Sequence, residues 1–431
     1  MLHSNLGINE QGHLTFAGVD TCELANKYGT PLYLMDEDMI RENCKAYVNS
    51  MKEYMPAGSR PSYASKACSF KRMYSIVREE GMTVDVVSIG ELYTALNAGF
   101  PAEEIFYHGN DKTDADIEYA IKAKVGCIVV DSLDELDAIN RIAAKLSVTQ
   151  NILMRLSPGI DPHTQEKIST GKIDCKFGIG IETGQAIDAC LYAATLSNVY
   201  VKGFHCHVGS QCFEYEPFSD AAEIMLKFIK EYKEKSGKEI EVLDLGGGFG
   251  VKYIESDPEI DYAECIKGLA GEIKALCEKF EVTPPSIIME PGRSIVANAG
   301  ITLYTVGSVK TIPGYKSFVS IDGGMTDNPR YTLYGAEYTV IVANHADKEP
   351  NFVTTLAGRC CESGDLIQEN INIYKPERSD IVAVLCTGAY NYSMASNYNR
   401  VPRPPVVMLK GGKDYVAVKR ETLEDIIALD L

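Results

Sequence analysis

Pro61-Ser62-Tyr63-Ala64-Ser65-Lys66-Ala67 is the stretch from which the fold is read. A short extended run follows a proline and ends in a lysine set among small residues. From there the chain keeps a regular rhythm of β-type runs and helical stretches. The pattern predicts strands over 62–65, 83–88, 104–108, 127–131, 152–156, 200–207, 241–245 and 286–290. Helices are predicted over 70–80, 91–98, 114–124, 133–146, 184–196, 218–235 and 262–280. The strands are nearly continuous apolar runs, as parallel strands covered on both faces should be. Eight such units in about 240 residues fit a (β/α)8 TIM barrel. Reactive and polar residues gather at the C-terminal ends of nearly every strand: Lys66, Asp85, Ser88, His108, Asp131, Arg155, His205, His207, Glu290 and Arg293. An open doubly wound sheet would concentrate them at one switch point, so the closed barrel is favoured.

Outside the barrel the rhythm changes. Strand-like runs at 14–19 and 31–35 precede it, with a short helix over 21–29 between them. A helix capped by Asp36 or Asp38 runs to about 55. After about residue 299 the chain is β-rich, with Pro/Gly turns and runs at 301–311, 317–321, 339–342, 381–385 and 405–409. The predicted organisation is a barrel domain over 36–300 and a separate C-terminal β-rich domain, joined by residues 1–35 and comprising 301–431.

Composition narrows the function class. A net charge of −18 over 431 residues argues against nucleic-acid or anionic-membrane binding, since both need a basic face. No secretory signal and no membrane-length apolar run are visible, which predicts a cytoplasmic protein. The thirteen cysteines are scattered, with no CxxC pair and no zinc spacing, so they read as buried small apolar groups in a reducing compartment. Cys360-Cys361 is the exception that invites a closer look. No metal is predicted.

Several segments could carry chemistry. An ammonium partly desolvated at Lys66 would have a lowered pKa and a nucleophilic amine able to form an imine with a carbonyl compound. The plain alternative is a surface lysine closing a strand. Gly246, Gly247 and Gly248 let backbone N–H groups approach an anion, or simply make a tight turn. Glu290-Pro291-Gly292-Arg293 follows the last strand, and its arginine can fork onto a phosphate or carboxylate. Two anion sites on the last two strands make a phosphorylated cofactor plausible. Alternation puts His205 and His207 on one side of strand six, as metal ligands, as a ring stacked on a cofactor, or as plain buried histidines. Cys361 beside Glu362 in a turn-rich loop could donate a proton, or could pack in the β domain.

Taken together, Tyr-Ala-Ser-Lys-Ala, His-Val-Gly-Ser-Gln, Gly-Gly-Gly-Phe-Gly, Glu-Pro-Gly-Arg and Cys-Glu-Ser-Gly-Asp occur in this order over most of the chain. The set resembles the diaminopimelate decarboxylase family, pyridoxal 5'-phosphate enzymes of the alanine-racemase-like fold (group IV decarboxylases). That fold is a barrel plus a C-terminal β domain, in agreement with the reading above. The resemblance implies that Lys66 holds the cofactor through an imine and that His207 stacks on its ring. It places Ser210, Gly246, Gly247, Gly248, Pro291, Gly292 and Arg293 around the phosphate, and Glu290 at the pyridine nitrogen. Tyr390 would touch cofactor and substrate, and Cys361 would return a proton to Cα. In the family, Cys361 and Glu362 reach the site from the partner subunit, which implies a homodimer with shared active sites.

The substrate implied is meso-2,6-diaminopimelate, converted to L-lysine and CO2 in the last step of lysine biosynthesis. Its distal ammonium and carboxylate need one acid and at least one guanidinium, and Glu362, Arg293 and Arg330 supply them beside Tyr334 and Tyr390. The run Asn328-Pro329-Arg330-Tyr331 departs from a commoner Ile-Arg-Pro order while keeping the arginine and Tyr334. Alternatives are a same-fold decarboxylase for another basic amino acid or carboxynorspermidine, and a non-catalytic cofactor-binding protein. A metal-dependent hydrolase is disfavoured because the histidines lack an evident carboxylate partner.

Overall fold

The computed structural model describes residues 2–160 and 176–431, and the chain divides into two compact units. One comprises Asn43–Gly250 with Glu259–Gly292. The other comprises residues up to Glu42, Val251–Pro258 and Arg293–Leu431.

The first unit is a closed parallel barrel. Its eight strands are Arg60–Ala64, Thr83–Val86, Ile105–Tyr107, Cys127–Val130, Gln150–Ser157, Val199–His205, Val242–Asp244 and Ser286–Met289. Each pairs with the next, and the last pairs with the first, Ile288 opposite Arg60 and Met289 opposite Pro61. The strands are short and largely buried, Val84, Val86, Ile105, Ile128, Val130, Ile287 and Ile288 among their residues. The βα connections end in cap residues: Ser88, Thr113 and Ser132 accept backbone N–H groups at the start of helices Ile89–Asn97, Asp114–Ala123 and Leu133–Lys145. Phe106, Cys127, Val129, Leu153, Val242 and Ile288 fill part of the barrel interior. The first strand starts earlier than predicted, because Pro61 lacks only its N–H; its carbonyl still accepts from Thr83 Oγ1 at 3.2 Å. A short extra strand, Ile179–Gly180, adds to the fifth.

The second unit is built on one mixed sheet. Its order is Leu366–Ile373, Phe352–Ala357, Lys316–Ile321, Gly300–Ile312, Leu32–Asp36, Val406–Lys410 and Lys413–Val418. Val340–Val342 and Ile381–Val384 branch from Gly300–Ile312. The N-terminal strand Leu32–Asp36 is buried at all five positions, antiparallel to Gly300–Ile312 and parallel to Val406–Lys410. Three strands of this sheet were not anticipated: Phe352–Ala357, Leu366–Ile373 and Lys413–Val418. Leu-Ile-Gln-Glu-Asn-Ile-Asn-Ile is rich in residues disfavoured in strands, and its pairing with Phe352–Ala357 overrides that local preference. The predicted run at 14–19 is in fact a hairpin, Leu14–Phe16 against Val19–Asp20, turned by Ala17 and Gly18 at φ 50° and 76°.

Twelve cysteines are described and all are free thiols. Among the described residues no helix is long and apolar enough to cross a membrane.

Candidate active site

Within the barrel unit, the C-terminal ends of the strands bring most of the anticipated residues together. Lys66 sits in the single-turn helix Ser65–Ala67 that follows strand one. Ser65 and Ala67 are buried, but the Lys66 side chain is exposed. The desolvated setting expected for its amine is therefore absent in the single chain: its small neighbours are buried and the lysine is not. Its charge still acts on buried groups: burial raises the carboxyls of Asp85 and Glu91 and Lys66 opposes that rise, while burial lowers the ring of His207 and Lys66 adds to it. Glu91 braces the turn, its Oε2 accepting from Ser65 Oγ at 3.0 Å and from Val87 N at 2.8 Å.

The centre of the rim is Glu290, buried just after strand eight. His108 Nε2 lies 2.9 Å from Oε1 and His205 Nε2 3.4 Å from Oε2, with the two rings edge to face at 5.0 Å. Both contacts are close but lack the alignment of full hydrogen bonds. Burial works to raise Glu290, yet the histidines beside it outweigh this and hold it well below the usual carboxylate range. Burial also pushes His205 down to about 4, so at neutral pH that ring is uncharged and supports Glu290 as a dipole. Asp244, at the end of strand seven, is driven the opposite way by burial and by the charge of Glu290. The two neighbouring carboxyls thus shift in opposite directions, which favours a proton on Asp244 over one on Glu290. Asp85 is raised to about 6 by burial.

One expectation changes here. The strand ends at His205, whose ring meets Glu290, and His207 lies in the loop just beyond, where Lys66, Glu290 and His205 all act on its buried ring. The carboxylate partner that the histidines seemed to lack is Glu290, from a strand far away in sequence. His108, His205 and Glu290 offer three ligand atoms within 4.8 Å of one another.

The glycine run is held tightly. A Cβ on Gly247 would lie 1.9 Å from the Glu290 carbonyl oxygen, and one on Gly246 2.7 Å from His207 Nδ1. Gly246 N is taken by Asp244 Oδ1 at 2.8 Å, so it is not available to an anion. Among the described residues, the amides of Gly247 and Gly248 donate to no protein acceptor. Ser210 lies half-buried in the loop after His207. Gly292 packs on Ala64, where a Cβ would come within 3.0 Å, and Pro291 O accepts from Ala64 N at 3.1 Å.

The other unit carries the remaining residues. Arg293 is buried; its Nη1 donates to Tyr253 Oη at 2.8 Å and its guanidinium lies 5.0 Å from the Tyr390 ring. Arg330 is also buried, 4.7 Å from the Tyr253 ring, with Nη1 donating to Tyr338 Oη at 2.8 Å. Tyr390 is held at φ 61°, and Tyr334 ends the short helix Arg330–Tyr334 half-buried. Cys361 and Glu362 are exposed on the loop before Leu366–Ile373. Tyr253, which meets both arginines, and Tyr338, which meets Arg330, had no signal in the sequence: neither sits in a motif. His108 and His205 were visible only as rim residues and Asp244 was not singled out, because their common target is defined by barrel closure.

An amine on a barrel rim, a buried ionised carboxylate and glycine amides without acceptors fit a phosphorylated pyridine aldehyde. The comparisons with known proteins agree. Residues 37–297 match the family model "pyridoxal-dependent decarboxylase, pyridoxal binding domain". This defines the class: a pyridoxal-phosphate-dependent amino-acid decarboxylase. A diaminopimelate decarboxylase of Bacillus methanolicus is 45% identical over 427 residues, covering 99% of each chain. One of Halalkalibacterium halodurans is 44% identical, covering all of this chain and 98% of its own. The crystal structure of the M. jannaschii diaminopimelate decarboxylase with L-lysine superposes with a TM-score of 0.91 at 37% identity, covering 100% of this chain and 99% of that one. The chain belongs to the diaminopimelate decarboxylase family.

Proposed function

We propose that this chain decarboxylates meso-2,6-diaminopimelate at its D-centre, releasing CO2 and leaving L-lysine, with the barrel rim as the cofactor site. Pyridoxal phosphate, when bound, supplies a protonated ring that accepts the electron pair left as the Cα–carboxylate bond breaks. Lys66 would be the residue that holds it covalently. Glu290 would face the ring nitrogen and hold its proton there; its buried place at the centre of the rim, with His108 and His205 against its two oxygens, is what carries this reading. His207 would cover one face of the ring, and Gly247 and Gly248, with Ser210, Pro291, Gly292 and Arg293, would hold the phosphate. Gly246 acts by shape, since its own amide is spent on Asp244.

The β domain supplies the rest. Arg330, in its tyrosine frame, reads the distal carboxylate; Arg293, Tyr334, Tyr390 and Glu362 complete the substrate pocket. Cys361 returns the proton to Cα. An exposed Cys361 and Glu362 and a solvent-facing Lys66 fit a homodimer in which each chain completes its partner's site. We assign 36–300 to the cofactor-binding barrel and 1–35 with 301–431 to the β domain, which the family match over 37–297 supports. A cytoplasmic location fits the reducing environment that free thiols need.

The test is direct. Purified protein should show a visible absorbance that borohydride shifts irreversibly, and should release CO2 from meso-diaminopimelate with one equivalent of L-lysine. Turnover of lysine or ornithine but not diaminopimelate would displace the substrate. Bound cofactor with no turnover of any of them, or full turnover in Cys361→Ala, would point to the binding-protein alternative or to another proton donor.

A further inference from the structure

Asp365 closes the Cys361 loop, and its carboxylate is 2% exposed. Each oxygen takes a backbone N–H from a different segment: Oδ1 from Met325 N and Oδ2 from Cys360 N, both at 2.6 Å. Its carbonyl accepts from Gly358 N at 2.8 Å. Both segments are shaped around it by glycine, since a Cβ on Gly324 would come within 2.4 Å of Oδ1 and one on Gly358 within 2.2 Å of both oxygens. The Met325 segment continues through Asp327, whose Oδ1 takes Gly324 N at 2.9 Å, directly into the helix that begins with Arg330. That helix is tied back to the same loop by Thr332 Oγ1, which donates to the Gly364 carbonyl at 2.9 Å. One buried carboxylate thus joins the loop of the candidate proton donor to the segment of the candidate carboxylate anchor.

We propose that Asp365 is a positioning residue: it fixes the Cys361 turn against the Arg330 segment, so that donor and anchor are presented at a preset spacing. The inference rests on the roles given above to Cys361 and Arg330. Its logic is that a thiol must meet one face of Cα while the far end of the same substrate is bound elsewhere. The spacing of the two groups then decides whether the proton arrives at the right place, and a displacement of about 1 Å is enough to cost about 100-fold in rate.

The test compares Asp365→Asn, Gly358→Ala and Cys361→Ala holoenzymes turning over meso-diaminopimelate in D2O. Asn turns a donor toward one of the two amides, and Ala at 358 pushes the carboxylate away. Both variants should lose about 100-fold in kcat, with KM little changed, and should scramble the configuration of deuterium at the new CH2 of lysine while melting cooperatively. Wild-type kcat in either folded variant overturns the proposal. So does a fall in kcat with the configuration intact, because a loosened fold slows turnover without freeing the direction of the proton. If Cys361→Ala itself keeps a single configuration, the donor assignment fails and this inference with it. If Cys361→Ala scrambles and the other two do not, only the positioning role fails. Should Asp365→Asn not fold, Gly358→Ala, which keeps the carboxylate, decides alone.

Discussion

Replacing Arg330 by Lys tests the substrate reading most sharply. The change keeps a positive charge but removes the planar fork and the stacked face. In the structure Arg330 is buried against Tyr253 at 4.7 Å and bonded to Tyr338 Oη at 2.8 Å, so burial opposes its charge while the tyrosines support it. A hydrogen bond to a charged group contributes roughly 1.5–3 kcal/mol. Losing one of a forked pair to the distal carboxylate should therefore lower kcat/KM for diaminopimelate by about ten- to a hundredfold. The assay is CO2 release from diaminopimelate and, in parallel, from lysine, which has the distal amine but no distal carboxylate. A residue that reads that carboxylate must lower the ratio of the two activities. A variant that lost only folding would lower both together. An unchanged ratio in a folded Arg330→Lys protein would refute the assignment.

Glu290→Gln should keep the fold and bind the cofactor but lose about 10²–10³ in kcat, the usual scale for removing one preorganised electrostatic partner, measured per cofactor-loaded site. Gly247→Ala should fail to retain the cofactor, because its Cβ would meet the Glu290 carbonyl at 1.9 Å; retention is read from absorbance after gel filtration. Asp327→Asn probes a buried acid of the β domain that burial raises to about 7. Below about pH 4 Asp327 is protonated in both folded and unfolded chains. As pH rises toward 7 the unfolded chain ionises while the folded one resists, so the wild type loses stability relative to the amide. The melting temperature of Asp327→Asn relative to wild type should climb from pH 4 to 7 and then level, and a flat difference would contradict it. His205, lowered to about 4 by burial, has the opposite slope: its contribution is full above about 6.5 and is lost as pH falls toward 4.

The barrel was legible because each of its units is local: an apolar run, a cap such as Ser88 or Ser132, then a helix. Lys66, Glu290 and the glycine run were legible because they end strands or sit in short motifs. What was not legible depends on closure and long-range pairing. The meeting of His108, His205, Asp244 and Glu290 exists only once strands three, six, seven and eight stand in one ring. The strand Leu366–Ile373 exists because Phe352–Ala357 pairs with it, against its own composition. Tyr253 and Tyr338 frame arginines 40 and 8 residues away through side-chain contacts that follow no period. The expected seclusion of Lys66 failed for a related reason: small neighbours show that a backbone packs closely, and say little about where a long side chain ends.

The strand Leu32–Asp36 lies between Gly300–Ile312 and Val406–Lys410, so the chain's opening segment becomes the seam of a sheet whose other pieces come last. During synthesis at about 5–20 residues per second, that seam must wait roughly 15–50 s for its first neighbour to emerge. Until then a strand of four largely apolar residues and Asp36 is without its mates, the moment of greatest exposure to wrong pairing and to chaperones. A shortened gene that begins at the barrel would leave two half-sheets with nothing to stitch them.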